Sequence, residues 1–327
     1  MTPSPPTVRD LGERELLARI MAALAGSSRA VVGPGDDAAV VAVPGGRAVV
    51  STDTLVHGPD FRLAWSRGID LGWKAAAVNL SDIAAMGARP TALLVALTLP
   101  DRTSVAFVED VARGLRQACD ALALGCAVEG GDLASSDTLT IAVTVLGVLD
   151  DGSAPVLRSG ARPGDVVAVA GELGAAGRGL ALLFDRFRDA AGSPVPVDAA
   201  ALTPAERDDL AAQLRPHPPI ALGPIAARAG ATAMMDVSDG LLLDAARMAE
   251  ASGVRIDLHA GMDEMALRGG EDHALLACFP ADAPLPAEFR VIGTVLADTR
   301  PRVTVDGVTP AGHAGWDPHR DWDSGRG

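Results

Sequence analysis

The chain has 327 residues, 48% of them hydrophobic, and its 42 acidic against 28 basic side chains give a formal charge of −14. That length exceeds an average domain, so two domains are expected, and the apolar content excludes a disordered chain. An acidic balance without a basic run argues against nucleic acid, and 3% aromatic residues with no Tyr disfavour a base-stacking surface.

The Pro-rich residues 1–11 read as a tail, and residues 11–24 have the apolar spacing of an amphipathic helix. Residues 38–43 and 48–54 are short β-branched runs separated by PGGR, which predicts a hairpin. Residues 69–87 carry helical spacing and stop at Gly87, with Pro90 just beyond. A strand at 92–99, a helix at 104–124 and strands at 126–132 and 138–149 follow. Strand–strand–helix–strand–helix–strand–strand predicts an α+β half with a mixed, largely antiparallel sheet.

Turn residues at 150–155 mark a boundary, giving domains at 12–151 and 152–317 and a tail at 318–327. The second half opens with a loop and strand at 158–171, then a Gly-rich turn entering a helix at 171–184. Residues 189–204 have the Pro and Ala content of a mobile loop. A further helix leads to a strand–helix junction at 232–240, and strands are expected at 273–279 and 290–296.

Cys119, Cys126 and Cys278 lack CxxC spacing and read as buried thiols in a reducing cytoplasm. The N-terminus lacks signal-peptide features, and the longest apolar runs are strand-sized, too short for a membrane span. A soluble cytoplasmic protein is expected.

Seven aspartates in Gly-, Ser- or Thr-flanked clusters carry the chemistry: Asp36, Asp37, Asp53, Asp82, Asp132, Asp236 and Asp239. Asp36 and Asp37 adjoin in GPGDDAAVV, either a solvated turn or a pair needing a cation between them. Asp53 ends an apolar strand between Thr52 and Thr54. Asp82 lies inside a mainly apolar helix, where a carboxylate must be paired, hydrogen-bonded or metal-bound. A structural link to Lys74 through Asn79 is one reading; Mg²⁺ ligation aided by Asn79 and Ser81 is the other.

Asp132 in EGGDL and Asp236 and Asp239 in MMDVSDG stand where strands run out, the usual place for a ligand. An N-cap role for Ser238 or Asp239 is the alternative there. GELGAAGRG either cradles a phosphate or merely turns a strand into a helix, for it matches neither the Walker nor the dinucleotide pattern. Arg158 sits in a Gly- and Pro-defined loop that could offer its fork to a phosphate, and Glu271 and Asp272 in GGEDH mark another site edge. The six His residues show no zinc spacing, and no protein nucleophile can be named.

In order, GDDAAVV, STDTLV, KAAAVNLSDIAAMGARP, LTLP, GGDL, RSGARPGD, DVSDGLLLD and GGEDHAL resemble the thiamine-monophosphate kinase family, within the aminoimidazole ribotide synthetase superfamily. The resemblance implies a two-domain fold, with an N-terminal mixed sheet that pairs across a homodimer and a C-terminal α/β domain. It implies ATP-dependent phosphorylation of thiamine monophosphate to thiamine pyrophosphate, with Mg²⁺ and with K⁺ left open as a further cation. Its metal ligands fall on Asp37, with Asp36 beside it, and on Ser51, Thr52, Asp53, Asp82, Asp132, Asp236 and Asp239.

Its ATP contacts fall on Gly131, Asp132, Arg158 and Ser238, and its substrate contacts on Asp60, Glu271 and Trp316. Relatives carry a His where this chain has Asp60, with His57 close by. The implied chemistry is direct in-line transfer with no catalytic protein nucleophile, because a phosphate monoester oxygen is already ionised near neutral pH. Alternatives are an aminoimidazole ribotide or selenophosphate synthetase type of enzyme, or a non-catalytic Mg-nucleotide maturation factor. No nucleic-acid or membrane partner is expected.

Overall fold

The computed structural model describes residues 30–316 apart from 33–35, 44–45, 298–299 and 301. The helix expected at 11–24 and both expected tails lie outside the described residues.

The N-terminal half follows the expected order. Strands β1 (Ala39–Val43), β2 (Gly46–Val56), β3 (Arg89–Leu99), β4 (Ala127–Ser135) and β5 (Thr140–Val148) form one sheet in the order β1-β2-β5-β3-β4. Only β3 and β4 run parallel, because helix α2 (Val105–Leu122) carries the chain over between them. Helix α1 (Gly68–Ala85) is buried on nearly every side, as expected of a helix rich in Ala, Val and Leu all round. It lies between the sheet, α2 and the second domain, so its few polar residues can only face other protein or a site.

The second domain contains β6 (Val166–Ala170), β7 (Ala233–Val237), β8 (Arg255–Leu258), β9 (Ala274–Phe279), β10 (Arg290–Leu296) and β11 (Val303–Val305). They pair in the order β11-β8-β10-β6-β9-β7, with only β11–β8 parallel. Helices α3 (Ala175–Arg186), α4 (Pro204–Leu214), α5 (Leu222–Arg228), α6 (Leu241–Ser252) and α7 (Glu264–Arg268) surround this sheet. Strand alternation feeds two cores. Ala168, Ala170, Leu275, Ala277 and Met234 join the core around α1, whereas Val167, Val169, Leu276, Cys278 and Met235 pack with α6. The domains therefore share an apolar seam, and β7 ends beside α1.

Residues 189–204 form a loop, but a pinned one rather than the mobile segment expected. Leu202 is buried with Trp65, Leu183 and Phe187, and Asp198 caps a short 3₁₀ turn over Ala199–Ala201. The Trp65 indole N–H also donates to the Phe187 carbonyl, tying the loop after β2 to the end of α3. A buried leucine of this kind contributes roughly 1.5–3 kcal/mol, enough to hold a loop that composition alone calls loose.

Candidate active site

Strand β2 and helix α1 bring the first acids together. Ser51 and Asp53 pair with the buried Val145 and Val143, so they face α1. Ser51 Oγ donates to Asp82 Oδ2 at 2.8 Å and lies 3.1 Å from the Asp37 carbonyl. The N–H of Asp53 donates to Asn79 Oδ1, and Asn79 also donates to the Ala75 carbonyl, one turn back on α1. Asn79 is therefore a brace rather than a ligand. Ser81, which reaches the His273 carbonyl, is another.

Asp236 at the end of β7 closes the group from the second domain. Burial, then repulsion from Asp236 and Asp37, raises the Asp82 carboxyl well above its ordinary value. Burial likewise raises Asp37, against the pull of Arg158 and with help from Asp236. Asp53 lies within electrostatic reach of Asp236 and Asp239. These carboxylates face one another across a space rather than converge: among the described residues no three His, Cys, Asp or Glu side chains form a preformed ion cage.

The donor set still fits Mg²⁺. Asp37 Oδ2 is buried with no hydrogen-bond partner, and the neighbouring oxygens are all hard donors. An ion that keeps waters and shares phosphate oxygens needs only one or two carboxylates from the protein.

Cationic side chains sit on the acids. Arg158 reaches Asp37 at 2.8 Å and Asp36 at 3.3 Å, and its backbone N–H also donates to Asp36. Asp36 is thereby committed to holding Arg158. Arg247 of α6 bridges Asp239 at 2.5 Å and Asp244 at 2.7 Å, and Asp244 Oδ2 accepts from the Asp239 N–H. Asp244 is fully buried; burial first, then Asp239, pushes its carboxyl up to about 7. Neither Ser238 nor Asp239 caps α6. The cap is Gly240, whose φ of +119° only glycine adopts readily.

The loop GGEDH holds the seam together, one residue per element. Glu271 has φ +69° and His273 φ +53°, which turn successive side chains in different directions. Glu271 pairs with Lys74 of α1 at 2.7 Å, so Lys74 serves Glu271 and not Asp82. Asp272 accepts from the Gly174 and Ala176 N–H groups at 2.6 and 2.8 Å. Two amides at the start of α3 are therefore taken by Asp272, which ties the Gly-rich turn to the GGEDH loop. His273 Nδ1 lies 2.8 Å from Asp236 Oδ2. Burial lowers the His273 imidazole, but the bond and charge of Asp236 more than offset this and raise it.

Asp60 accepts from the Val56 N–H at 2.6 Å, and burial, aided by Glu271 and Asp53, raises it to about 6. Ser238 borders the same group through its carbonyl, which accepts from the Glu271 N–H. Trp316 is 40% exposed, with its backbone N–H donating to the Asp239 carbonyl, so the C-terminal segment reaches the site rim.

Two expected ligands stand apart. The Thr52 hydroxyl points to the other sheet face, where it donates to the Val143 carbonyl and accepts from Thr144. Asp132 shares the cross-strand row Asp132–Ala96–Ala142–Thr54 on that same outer face. Three strand spacings of ~4.8 Å put it about 14 Å from Thr54. Gly131 lies where a Cβ would meet the Val95 carbonyl oxygen at 2.0 Å, so the bare backbone is required there.

Sequence reasoning missed His273, Asp244, Arg247 and Gln213. Asp244 and Arg247 were legible as neighbours of the DVSDG motif on one helix face, four and seven residues past Gly240; Gln213, in an ordinary helix, gave no signal.

Residues 35–149 and 162–306 match the family models described as AIR synthase related protein, N-terminal and C-terminal domain. The thiamine-monophosphate kinase of Mycobacterium tuberculosis is 43% identical over 95% of this chain and 92% of its own length. The solved structure described as AaThiL complexed with AMPPCP and TMP superposes with a TM-score of 0.82 at 31% identity, covering 96% of this chain and 99% of that one. The thiamine monophosphate kinase of Aquifex aeolicus gives a TM-score of 0.78 at 31% identity, over 94% and 100% of the two chains. Matched along both domains and nearly end to end, the chain is an enzyme of the thiamine-monophosphate kinase family, built on the AIR synthase-related fold.

Proposed function

We propose that this enzyme transfers the γ-phosphoryl group of ATP to the phosphate of thiamine monophosphate, giving thiamine pyrophosphate and ADP. The observation that carries the reading is the buried acid group Asp37–Asp82–Asp236 with Arg158 against it, in a chain of this family. A solved relative described as complexed with AMPPCP, a non-hydrolysable ATP analogue, and TMP supports both substrates.

Mg²⁺ would be held by Asp37, Ser51, Asp53, Asp82, Asp236 and Asp239, and when bound supplies positive charge that offsets the repulsion between two anionic substrates. The transfer is in line: a terminal phosphate oxygen of thiamine monophosphate forms the new P–O bond as the bond to ADP breaks. The chain's own part is to orient. Arg158 offers a phosphate-binding fork on one side, and Asp60, Glu271 and Trp316 border the acceptor side. We place the reaction in the cytoplasm, where Cys119, Cys126 and Cys278 stay free thiols.

The placement of Asp132 fits a homodimer. Strand β4 is exposed along its whole length, and Leu94, Val128 and Leu133 around it are open apolar residues. In a dimer closed through that edge, Gly131 and Asp132 serve the partner's acid group rather than their own. Mixed dimers of Asp82→Asn and Asp132→Asn chains then regain activity that neither variant shows alone; absence of any such rescue rejects the shared site. The function itself is tested by ADP formation with thiamine monophosphate, free thiamine and aminoimidazole precursors as acceptors. Turnover indifferent to thiamine monophosphate rejects the reading.

A further inference from the structure

The neighbouring acids Asp36 and Asp37 both face Arg158, but they are bonded differently. Asp36 has both oxygens in use. Its Oδ1 accepts from the Asp37 N–H at 3.0 Å and from Arg158 Nε at 3.3 Å, and its Oδ2 accepts from the Arg158 backbone N–H at 3.1 Å. Asp37 meets Arg158 through Oδ1 alone, 2.8 Å from Nη2, and its Oδ2 has no partner. The Arg158 backbone is pinned from the other side too. Its carbonyl accepts from Ser252 Oγ at the end of α6, and the same hydroxyl accepts from the Ala161 N–H. Gly160 closes the loop where a Cβ would meet the Thr232 carbonyl oxygen at 1.8 Å. The guanidinium is thus held by Nε and Nη2, and no described residue accepts from Nη1. Its side chain is 20% open, so a ligand can reach that end.

A guanidinium binds phosphate best through two parallel N–H donors, and here one such fork is divided between two carboxylates. We propose that the two acids divide the work. Asp37 is given up to Mg²⁺, whereas Asp36 is the positioning residue that stays on Arg158 and aims its Nη1 and Nη2 at the ATP phosphates. Nε and the backbone N–H rest on Asp36, so releasing Asp37 frees Nη2 without unseating the arginine. Asp36 is then not a metal ligand, although it adjoins one in the sequence. This deepens the reading of the chain as an ATP- and Mg²⁺-using kinase and rests on it.

The test follows binding rather than turnover. AMPPCP with saturating Mg²⁺ is titrated calorimetrically into the wild type, Asp36→Asn, Arg158→Met and the double variant. Asp36→Asn should weaken AMPPCP by about tenfold or more, and Arg158→Met by at least as much. With the arginine gone, Asp36→Asn should cost less than about twofold further, because it acts through that side chain. Losses that multiply in the double variant overturn the proposal. Titration with Mn²⁺ alone, the free ion read by electron paramagnetic resonance, separates the two acids without any Arg158 variant. Asp37→Asn should lose about tenfold or more in Mn²⁺ affinity and Asp36→Asn less than about threefold. Equal losses overturn the proposal even if Arg158→Met does not fold. A wild type that binds Mn²⁺ but not AMPPCP overturns the functional reading and this proposal with it; failure of the proposal alone shows in a wild type that binds both.

Discussion

Replacing Lys74 with Met tests whether the domain seam depends on its buried ion pair. At 2.7 Å the pair gains ~6 kcal/mol by Coulomb's law at an effective dielectric of 20, most of it offset by desolvation. What matters in the variant is the carboxylate left behind. Breaking a buried pair costs roughly 3–5 kcal/mol. Glu271 is 30% open and keeps the Gln213 donor, so we expect about 2–3 kcal/mol, below that range.

For a chain of this size that lowers the calorimetric Tm by about 3–4 °C near pH 7.5. Burial pushes the Glu271 carboxyl up, but Lys74 and Gln213 more than offset it, so it lies below the usual glutamate value. A depressed carboxyl stabilises above its unfolded pKa and loses that contribution as pH falls through the folded value. Without Lys74, burial prevails and Glu271 takes up a proton early on acidification. The gap between wild type and Lys74→Met therefore narrows toward pH 4.5. The double variant Lys74→Met/Glu271→Gln should lie well above the sum of the single losses. A Tm change under 1 °C, or strictly additive losses, would refute the pairing argument.

Asp82→Asn should abolish turnover yet leave the metal-free protein as stable as the wild type or more so, because it removes one member of a repelling group; near-normal activity at limiting Mg²⁺ would exclude Asp82 from the site. Asp244, raised to about 7, and Asp60, raised to about 6, join Asp37 and Asp82 in binding protons more readily folded than unfolded. Metal-free stability should then fall as pH rises from 6 to 8, by ~1.4 kcal/mol per pH unit for each extra proton held. His57 and His217, both lowered by burial, pull the other way. A scanning-calorimetry series with a flat or rising profile contradicts this. Trp316→Ala should raise the KM for thiamine monophosphate more than that for ATP, and equal increases would argue against a substrate-facing ring.

The order of elements in the first domain was legible because hairpin turns, helix stops and β-branched runs are local signals. That Asp37, Asp53, Asp82 and Asp236 belong together was legible from their flanking residues. How they are held was not. Lys74 and Asp82 share a helix, so sequence suggested a link, yet Lys74 points across the domain seam to Glu271. Asp272 looked like a site residue because it stands beside Glu271, but alternate side chains in a tightly turned loop go to different elements. Thr52 and Asp53 are adjacent and lie on opposite sheet faces, a consequence of strand pleating that a motif does not display. The loop at 189–204 was misjudged because composition does not reveal which single leucine finds a pocket.

The acids that set this site apart are also its main folding liability, and the fold answers with cations of its own. Asp36 and Asp37 hold Arg158, Asp239 and Asp244 hold Arg247, and Asp236 holds His273. Among the described residues, Asp37 Oδ2 is the one acid oxygen left buried without any partner. Under the proposed function, the contacts of Asp37, Asp236 and Asp239 occupy carboxylates that Mg²⁺ would use, so the ion would compete with side chains already in place. ATP would change that balance, since under the same proposal its phosphates would give Arg158 another anion to bind and bring negative charge that itself attracts Mg²⁺. By linkage, whatever nucleotide does for metal affinity, metal does equally for nucleotide affinity. On that proposal, the arginine that holds Asp36 and Asp37 would couple the loading of the metal to the loading of the nucleotide.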